Sequence, residues 1–333
     1  PKPYVAVAMS GALTTGLASS ALVLVAHAGV AGVLLGGLIG NLVSAIVAAV
    51  VLPIRPGRIV HETAREAVRL GAPLVPHLAS MQSLMLADRL LLTALVTEAN
   101  IGVYGLASNI AVPAIVACQA VTQATMPTFA RVGTGAAPRS ELRTLIPLQV
   151  AAVTFICLGC ALCGPPLIDI VTPAAYHDAA GIVGWIVLGY LFVGLYGIPM
   201  NAATIGAGRS SRAWIATATG AAVNLALVAI LTPAFGIEGA AIASAAGYLV
   251  LLGGISLWSS LGPNVAEYEW RRLAAVGVAG LGTYAAVALT TPSAGVASLA
   301  IRLAVSLGGG VVLLAAAGTS PAALLRHSPS RTD

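Results

Sequence analysis

Four residues with ionisable or amide side chains interrupt an apolar region of the chain at residues 70–95: His77, Gln82, Asp88 and Arg89. A guanidinium can hold two phosphate oxygens at once, and a carboxylate can take up a proton or Na⁺. Successive residues of a helix point about 100° apart, which places His77 on the face of Asp88 and Gln82 on the face of Arg89. The region therefore offers an anion site at Arg89 and an ion-coupling site at Asp88 with His77.

Each of these residues also has a structural interpretation. Asp88 can form an ion pair with a neighbouring helix, and Arg89 can extend its side chain to the lipid headgroups. His77 is better explained as a hydrogen-bonded packing residue. A charged side chain at the centre of a membrane costs about 2.5–3.5 kcal/mol on insertion scales. Asp88 and Arg89 thus need a polar environment in a membrane helix, whichever interpretation holds.

The next apolar stretch contains three amides at helical spacing, Asn109, Gln119 and Gln123. They fall within an arc of about 80° and form a polar stripe that suits sugar hydroxyls. Hydrogen bonding between helices is an equally good explanation of such a stripe. Asn201 and Asn224 are weaker candidates of the same kind.

Long apolar stretches must position these residues. The chain is 58% hydrophobic and 8% charged, whereas a soluble domain is about 25% charged. A membrane helix needs roughly 20 apolar residues. Ten stretches qualify: 4–27, 30–53, 70–95, 101–129, 145–165, 179–203, 212–232, 237–260, 272–290 and 297–317. The sequence therefore predicts an all-α, polytopic membrane protein.

The basic residues predict the orientation. All sixteen except Arg89 and Arg302 fall in one alternating set of connections, and the opposite set contains none. By the positive-inside rule the populated set is cytoplasmic, so both termini are predicted to be inside. This distribution accounts for the net charge of +5 without a nucleic-acid partner. Arg302, near the outer end of the tenth stretch, is expected to extend toward the headgroups.

An internal repeat is visible in two glycine-rich helix starts. Residues 29–36 (GVAGVLLG) echo residues 236–243 (GIEGAAIA), and each segment follows an apolar stretch that begins near a cytoplasmic basic residue. The first two helices then correspond to the seventh and eighth. Because transporters often contain such repeats, the first copy is expected to lack about four helices. Chance similarity between two glycine-rich segments is the alternative.

Four segments carry a resemblance to a known family. They are RLGAPLVPHLASMQSLMLADR at 69–89 with IGVY at 101–104, QATMPTFAR at 123–131, YHDAA at 176–180 and TPAFGIEGAAIASAAGY at 232–248. Together they resemble the Wzx-like oligosaccharide and polysaccharide flippases of the multidrug, oligosaccharidyl-lipid and polysaccharide superfamily. That resemblance implies a two-lobe, inverted-V transporter fold of about ten helices with the first lobe incomplete.

The resemblance also implies a domain organisation. We expect the last two helices of the N-lobe at 1–54, a cytoplasmic linker at 55–69, a six-helix C-lobe at 70–262, two further helices at 263–317 and a polar cytoplasmic tail at 318–333.

The implied function is transport. A Wzx-like protein would move an isoprenoid-diphosphate-linked glycan across the bacterial plasma membrane by alternating access, with H⁺ or Na⁺ as a possible coupling ion. Membrane lipid would be a further partner. Arg89, Asp88, Gln82, Asn109, Gln119, Gln123 and Asn201 would bind substrate, and Asp88 and His77 would couple the ion.

Other functions remain as alternatives. A drug or metabolite cation antiporter of the same superfamily would favour an acidic cavity, and Asp88 is the one acid placed well inside the membrane. A truncated protein without transport activity is a second alternative.

A membrane enzyme and a metal centre are disfavoured. A prenyl or glycosyl transferase would need clustered carboxylates to bind Mg²⁺ and diphosphate. The acids predicted to be cytoplasmic are not clustered in this way: Glu62, Glu66, Glu141, Glu267, Glu269 and Asp333. Cys157, Cys160 and Cys163 lack a fourth zinc ligand and are interpreted as packing residues. No cofactor or metal is predicted.

Overall fold

The computed structural model describes residues 2–51, 74–206, 213–260, 269–290 and 295–318, with the isolated positions 62, 65, 68 and 72. The chain divides into two compact units, Pro1–Ala67 and Val68–Asp333. The boundary falls inside the segment 55–69 that the sequence predicts to be a linker. Most of that linker, and the tail from residue 319 onward, lie outside the described residues.

The first unit is a hairpin of two helices, α1 (Lys2–Leu24) and α2 (Gly29–Val51). The chain reverses through His27 and Gly29, which have φ values of 51° and 53°. Gly32, Gly36 and Gly40 of α2 are buried against α1. A Cβ atom at Gly40 would lie 2.9 Å from the carbonyl oxygen of Gly11, so the two backbones are in direct contact.

The second unit begins with α3 (Leu74–Leu95), α4 (Glu98–Gly133) and α5 (Ser140–Val171). A short 3-10 turn (Ala174–Tyr176) leads to α6 (Ala179–Asn201), whose end continues as one π-helical segment, Ala202–Gly206. Then come α7 (Ala213–Ser260), α8 (Trp270–Thr290) and α9 (Val296–Ala316).

Helix α7 folds back on itself at Gly236, where φ is 59° and ψ is −142°. A Cβ at Gly247 would lie 2.6 Å from the Cβ of Asn224, and one at Gly254 would lie 3.1 Å from the Cβ of Ala216. The arms 213–235 and 237–260 are therefore antiparallel neighbours. They correspond to the seventh and eighth predicted helices.

Apolar packing holds the second unit together in four clusters, one of which joins the end of α4 to the start of α5 and the end of α6 around Phe129 and Ile146. The core of α4, α5 and α6 is built from residues such as Ala107, Cys118, Val153 and Val183. A second cluster joins α6 to both arms of α7, and Met81 of α3 packs against it. A third cluster joins α5 to α8 and α9.

The all-helical membrane fold predicted from the sequence is confirmed. By length and composition, eight helices in the described part of the chain can cross a membrane, and one of them, 213–259, contains both arms of α7. Helix α3 coincides with the predicted stretch 70–95 but is not among the eight. Helices α4 and α5 are longer than predicted, because their polar ends continue as helix beyond the apolar stretches.

Candidate functional site

The predicted anion site lies on an exposed face of α3. Gln82 and Arg89 are seven residues apart, and both side chains are exposed, as their predicted common face requires. An adjacent side of α3 is packed: Leu92, about 60° around the helix from Arg89, is completely buried in the core with α4 and α6. Arg89 lies six residues before the end of α3, about 9 Å along the helix axis.

The predicted ion-coupling residues can be placed only by their backbone. His77 and Asp88 both belong to α3, so the helical spacing that relates them is present. Their side chains lie outside the described residues. Ion coupling at this pair therefore stays a prediction.

The amide stripe is a continuous exposed face of α4. Asn109, Gln119 and Gln123 are all exposed, and with a rise of 1.5 Å per residue they extend over about 21 Å of the helix. Alanine and cysteine residues line the opposite face, so α4 can approach α5 and α6 closely there. These buried residues include Ala107, Ala111, Ala114 and Cys118. The helical pattern thus turns every member of the stripe away from the core.

The two asparagines occupy a different environment. Asn201 is buried, and its Nδ2 donates to the carbonyl oxygen of Thr122 at 3.4 Å, joining α6 to α4. Asn224 is also buried and donates to the Oγ of Ser244 at 3.2 Å, joining the two arms of α7. At 8% exposure, Asn201 offers little surface for contact with a substrate. The structure therefore favours packing roles for both asparagines.

Two polar residues, Gln149 and Arg302, are buried in the structure, which the sequence did not predict. Gln149 of α5 is 1% exposed, and neither amide atom has a hydrogen-bond partner among the described residues. Arg302 of α9 is 6% exposed. The expectation that Arg302 extends toward the headgroups is wrong, because its guanidinium lies inside the protein. The sequence signal for Gln149 was the presence of a single glutamine within the predicted membrane helix 145–165.

The cysteines form no metal centre in the part of the chain that the structure describes. The Sγ atoms of Cys118 and Cys157 lie 3.7 Å apart in the contact between α4 and α5. Both are buried among apolar residues of the core. Packing is the role that this environment supports.

Charged pairs lie at the helix ends. On the predicted cytoplasmic side, Arg131 at the end of α4 pairs with Glu141 at the start of α5. Arg272 there pairs with Glu269 at 2.6 Å. At the opposite end, the Nδ1 of His177 lies 3.7 Å from the Oδ1 of Asp169.

The exposed polar side chains on α3 and α4 limit which environments can surround these two helices. An amide without a hydrogen bond in an apolar medium costs roughly 2–7 kcal/mol. Hydrocarbon is therefore an unfavourable neighbour for the exposed amides of Gln82, Asn109, Gln119 and Gln123. Water or another polar group is a more favourable neighbour for these amides.

These features define a multi-pass helical membrane protein with polar faces on two of its helices. The family model described as "Polysaccharide biosynthesis protein" matches residues 2–180, more than half of the chain, and the chain belongs to that family. The family to which the four sequence segments pointed is thereby confirmed. No curated protein matches the sequence significantly.

A solved structure with a similar fold is the lipid II flippase MurJ in its inward closed conformation. The two folds agree with a TM-score of 0.67, at 14% sequence identity. The match covers 91% of this chain and 65% of the MurJ chain, so this chain spans about two thirds of the length of that protein.

Proposed function

We propose that the chain acts in a flippase that moves an isoprenoid-diphosphate-linked oligosaccharide or polysaccharide precursor across the bacterial plasma membrane. Alternating access would carry the polar head from the cytoplasmic leaflet to the outer leaflet. The chain acts as a transporter and not as an enzyme, with both termini in the cytoplasm. The observation that carries the proposal is the exposure of Gln82, Arg89, Asn109, Gln119 and Gln123 on α3 and α4.

The chemistry of these side chains matches the two polar parts of the substrate. The planar guanidinium of Arg89 suits the diphosphate, because it can donate two parallel hydrogen bonds. The amides of α4 donate and accept hydrogen bonds along about 21 Å of helix, which suits a chain of sugar hydroxyls. Family membership and the fold shared with a flippase support the proposal that the chain acts in a flippase.

Ion coupling belongs to the same proposal. Asp88 would take up H⁺ or Na⁺, with His77 on the same helical face. Asp88 is next to Arg89 in the sequence. Neutralising the Asp88 carboxylate with H⁺ or Na⁺ would therefore change the electrostatic attraction between Arg89 and the diphosphate, and with it the affinity for the substrate. Asn201 would contact the substrate only in a conformation in which its side chain is more exposed than the 8% seen in this structure.

The test is a pair of substitutions at Arg89 in the native host. Arg89→Ala should reduce polysaccharide at the cell surface by roughly ten- to a hundredfold at a normal protein level, because it removes charge-assisted hydrogen bonds. Arg89→Lys should restore part of the export, since an ammonium keeps the charge but loses the planar fork.

Leu90→Ala is the matched control, because Leu90 is the next residue and its side chain is 72% exposed. It should leave export unchanged. Full export by a well-expressed Arg89→Ala variant would remove Arg89 from the mechanism. If efflux of organic cations were lost and the polysaccharide remained normal, the cation antiporter would be the correct function.

A further inference from the structure

Helix α9 presents a polar ridge to the interior of the second unit. Ser298, Arg302 and Ser306 are spaced four residues apart, so they lie on one face of the helix. All three are buried, with exposed fractions of 3%, 6% and 4%. An arginine in this position is costly at membrane depth unless the fold supplies hydrogen-bond acceptors.

The acceptors come from α9 itself and from α5. The Nε of Arg302 donates to the Oγ of Ser298 at 3.1 Å. Its Nη1 donates to the carbonyl oxygen of Leu162 at 3.1 Å, across 140 residues of sequence. The guanidinium thus connects the last described helix to the middle of the second unit.

The carbonyl of Leu162 is available for a local reason. In an α-helix this oxygen accepts from the backbone N–H four residues later, and that residue is Pro166, which has no N–H. The preceding Pro165 removes the donor for Ala161 in the same way. Proline therefore opens the hydrogen-bond ladder of α5 at the point where Arg302 donates.

Glycines of α8 and α9 pack closely against side chains of α5 about two turns away from this bond. A Cβ at Gly280 of α8 would lie 2.7 Å from the Cγ2 of Thr154, and one at Gly310 of α9 would lie 2.7 Å from the Cε2 of Phe155. Leu158 and Leu162 of α5 and Leu313 of α9 share one buried cluster. The pair α8 and α9 is thus packed along α5 from the connection toward the start of α5.

We propose that Arg302 is a positioning residue that fixes α9 to the proline break of α5, so that α5, α8 and α9 move as one body during transport. Its guanidinium replaces the backbone donor that Pro166 lacks. Only the part of this inference that concerns movement rests on the proposed function.

A double-mutant cycle tests the bond itself. Arg302→Met should lower the melting temperature of the purified protein by about 3–10 °C, because the Leu162 carbonyl loses its donor. In the Arg302→Met background, Pro166→Ala should recover at least half of that loss, since residue 166 then supplies the helical N–H. Arg302→Lys, which retains a donor, should give an intermediate value and provides a better-folded variant for the same cycle.

Pro165→Ala is the matched control. It restores the donor for Ala161 but not for Leu162, so it should not offset the loss caused by Arg302→Met or Arg302→Lys. Independent, additive effects of Arg302 and Pro166, or equal recovery with Pro165→Ala, would overturn the proposal. This measurement does not depend on any transport activity.

Cross-linking tests the shared movement. Gly309 and Leu158 face each other, with 3.5 Å between a Cβ built at Gly309 and the Cδ2 of Leu158. In a variant whose native cysteines are alanine, Leu158→Cys and Gly309→Cys should be cross-linked without loss of polysaccharide export. Loss of export that reduction of the cross-link reverses would show that α5 and α9 move apart. If instead Arg89→Ala left export unchanged, the proposed function would fail and the melting cycle would still stand.

Discussion

At the scale of single residues, the clearest contrast is between amides that face outward and amides that are enclosed. Gln119 and Gln149 have the same side chain, but Gln119 is exposed on α4 and Gln149 is 1% exposed in α5. Neither amide atom of Gln149 has a hydrogen-bond partner among the described residues. A buried amide of this kind destabilises a fold, because its desolvation is not compensated.

We therefore expect Gln149→Leu to stabilise the protein by about 1–3 kcal/mol, seen as a higher melting temperature in detergent. Gln119→Leu is the matched control: it should change the melting temperature little and should reduce polysaccharide export. A lower melting temperature for Gln149→Leu would contradict the prediction and would mean that this amide makes a stabilising hydrogen bond.

Helical spacing was sufficient to predict which side chains share the face of α4. It did not identify Arg302 as a buried residue, because its acceptor belongs to a residue 140 positions earlier in the chain. A sequence pattern reports the neighbours of a residue on its own helix. The contacts of Arg302 and Asn201 with other helices depend on tertiary packing, which no local spacing encodes.

At the scale of elements, the two hairpins share their construction. Gly29 and Gly236 occupy equivalent positions in the sequence echo, and both have a positive φ, 53° and 59°. This left-handed conformation strongly favours glycine. After each turn, small residues recur where the helices touch, at Gly40 of α2 and Gly247 of α7. The echo in the sequence therefore coincides with a positive-φ glycine and a close helix contact in both hairpins. Its extension to two transporter lobes stays a prediction.

Glycine substitutions should separate contact positions from open ones. Gly40→Ala should lower both the amount of membrane-inserted protein and its melting temperature, because the new Cβ would meet Thr15 and the backbone of Gly11. Gly37→Ala, three residues earlier on α2, has no atom within 4 Å of the new Cβ and should behave like the parent protein. Equal effects at the two positions would contradict this hairpin contact.

At the scale of the whole molecule, the sequence determined the class of fold and proposed an orientation. The apolar stretches are long enough to cross a bilayer, so the sequence favoured a membrane protein over a soluble one. The helices lie where these stretches predict them. Orientation came from the basic residues alone. The arrangement of the two units cannot be derived in the same way, because apolar helices satisfy a membrane in many mutual positions.

Cysteine labelling tests the orientation. In a variant without native cysteines, an impermeant maleimide applied to right-side-out vesicles should label Ala175→Cys and not Ala136→Cys. Both positions are exposed and lie at opposite ends of α5. Permeabilised vesicles should label both variants, which controls for reactivity. The reverse pattern would invert the topology and place the arginines of the α4 to α5 connection outside.

The bond between Arg302 and Leu162 also has a consequence for biosynthesis. Leu162 leaves the ribosome 140 residues before Arg302, so α5 is already in the membrane when α9 arrives at the translocon. An arginine at the centre of a segment raises the cost of its insertion by about 2.5–3.5 kcal/mol, and Arg302, six residues into α9, contributes part of such a cost. The carbonyl of Leu162 on α5, which lacks a backbone donor, offsets part of that cost. Insertion of α9 into the membrane thus depends on α5, which is synthesised earlier.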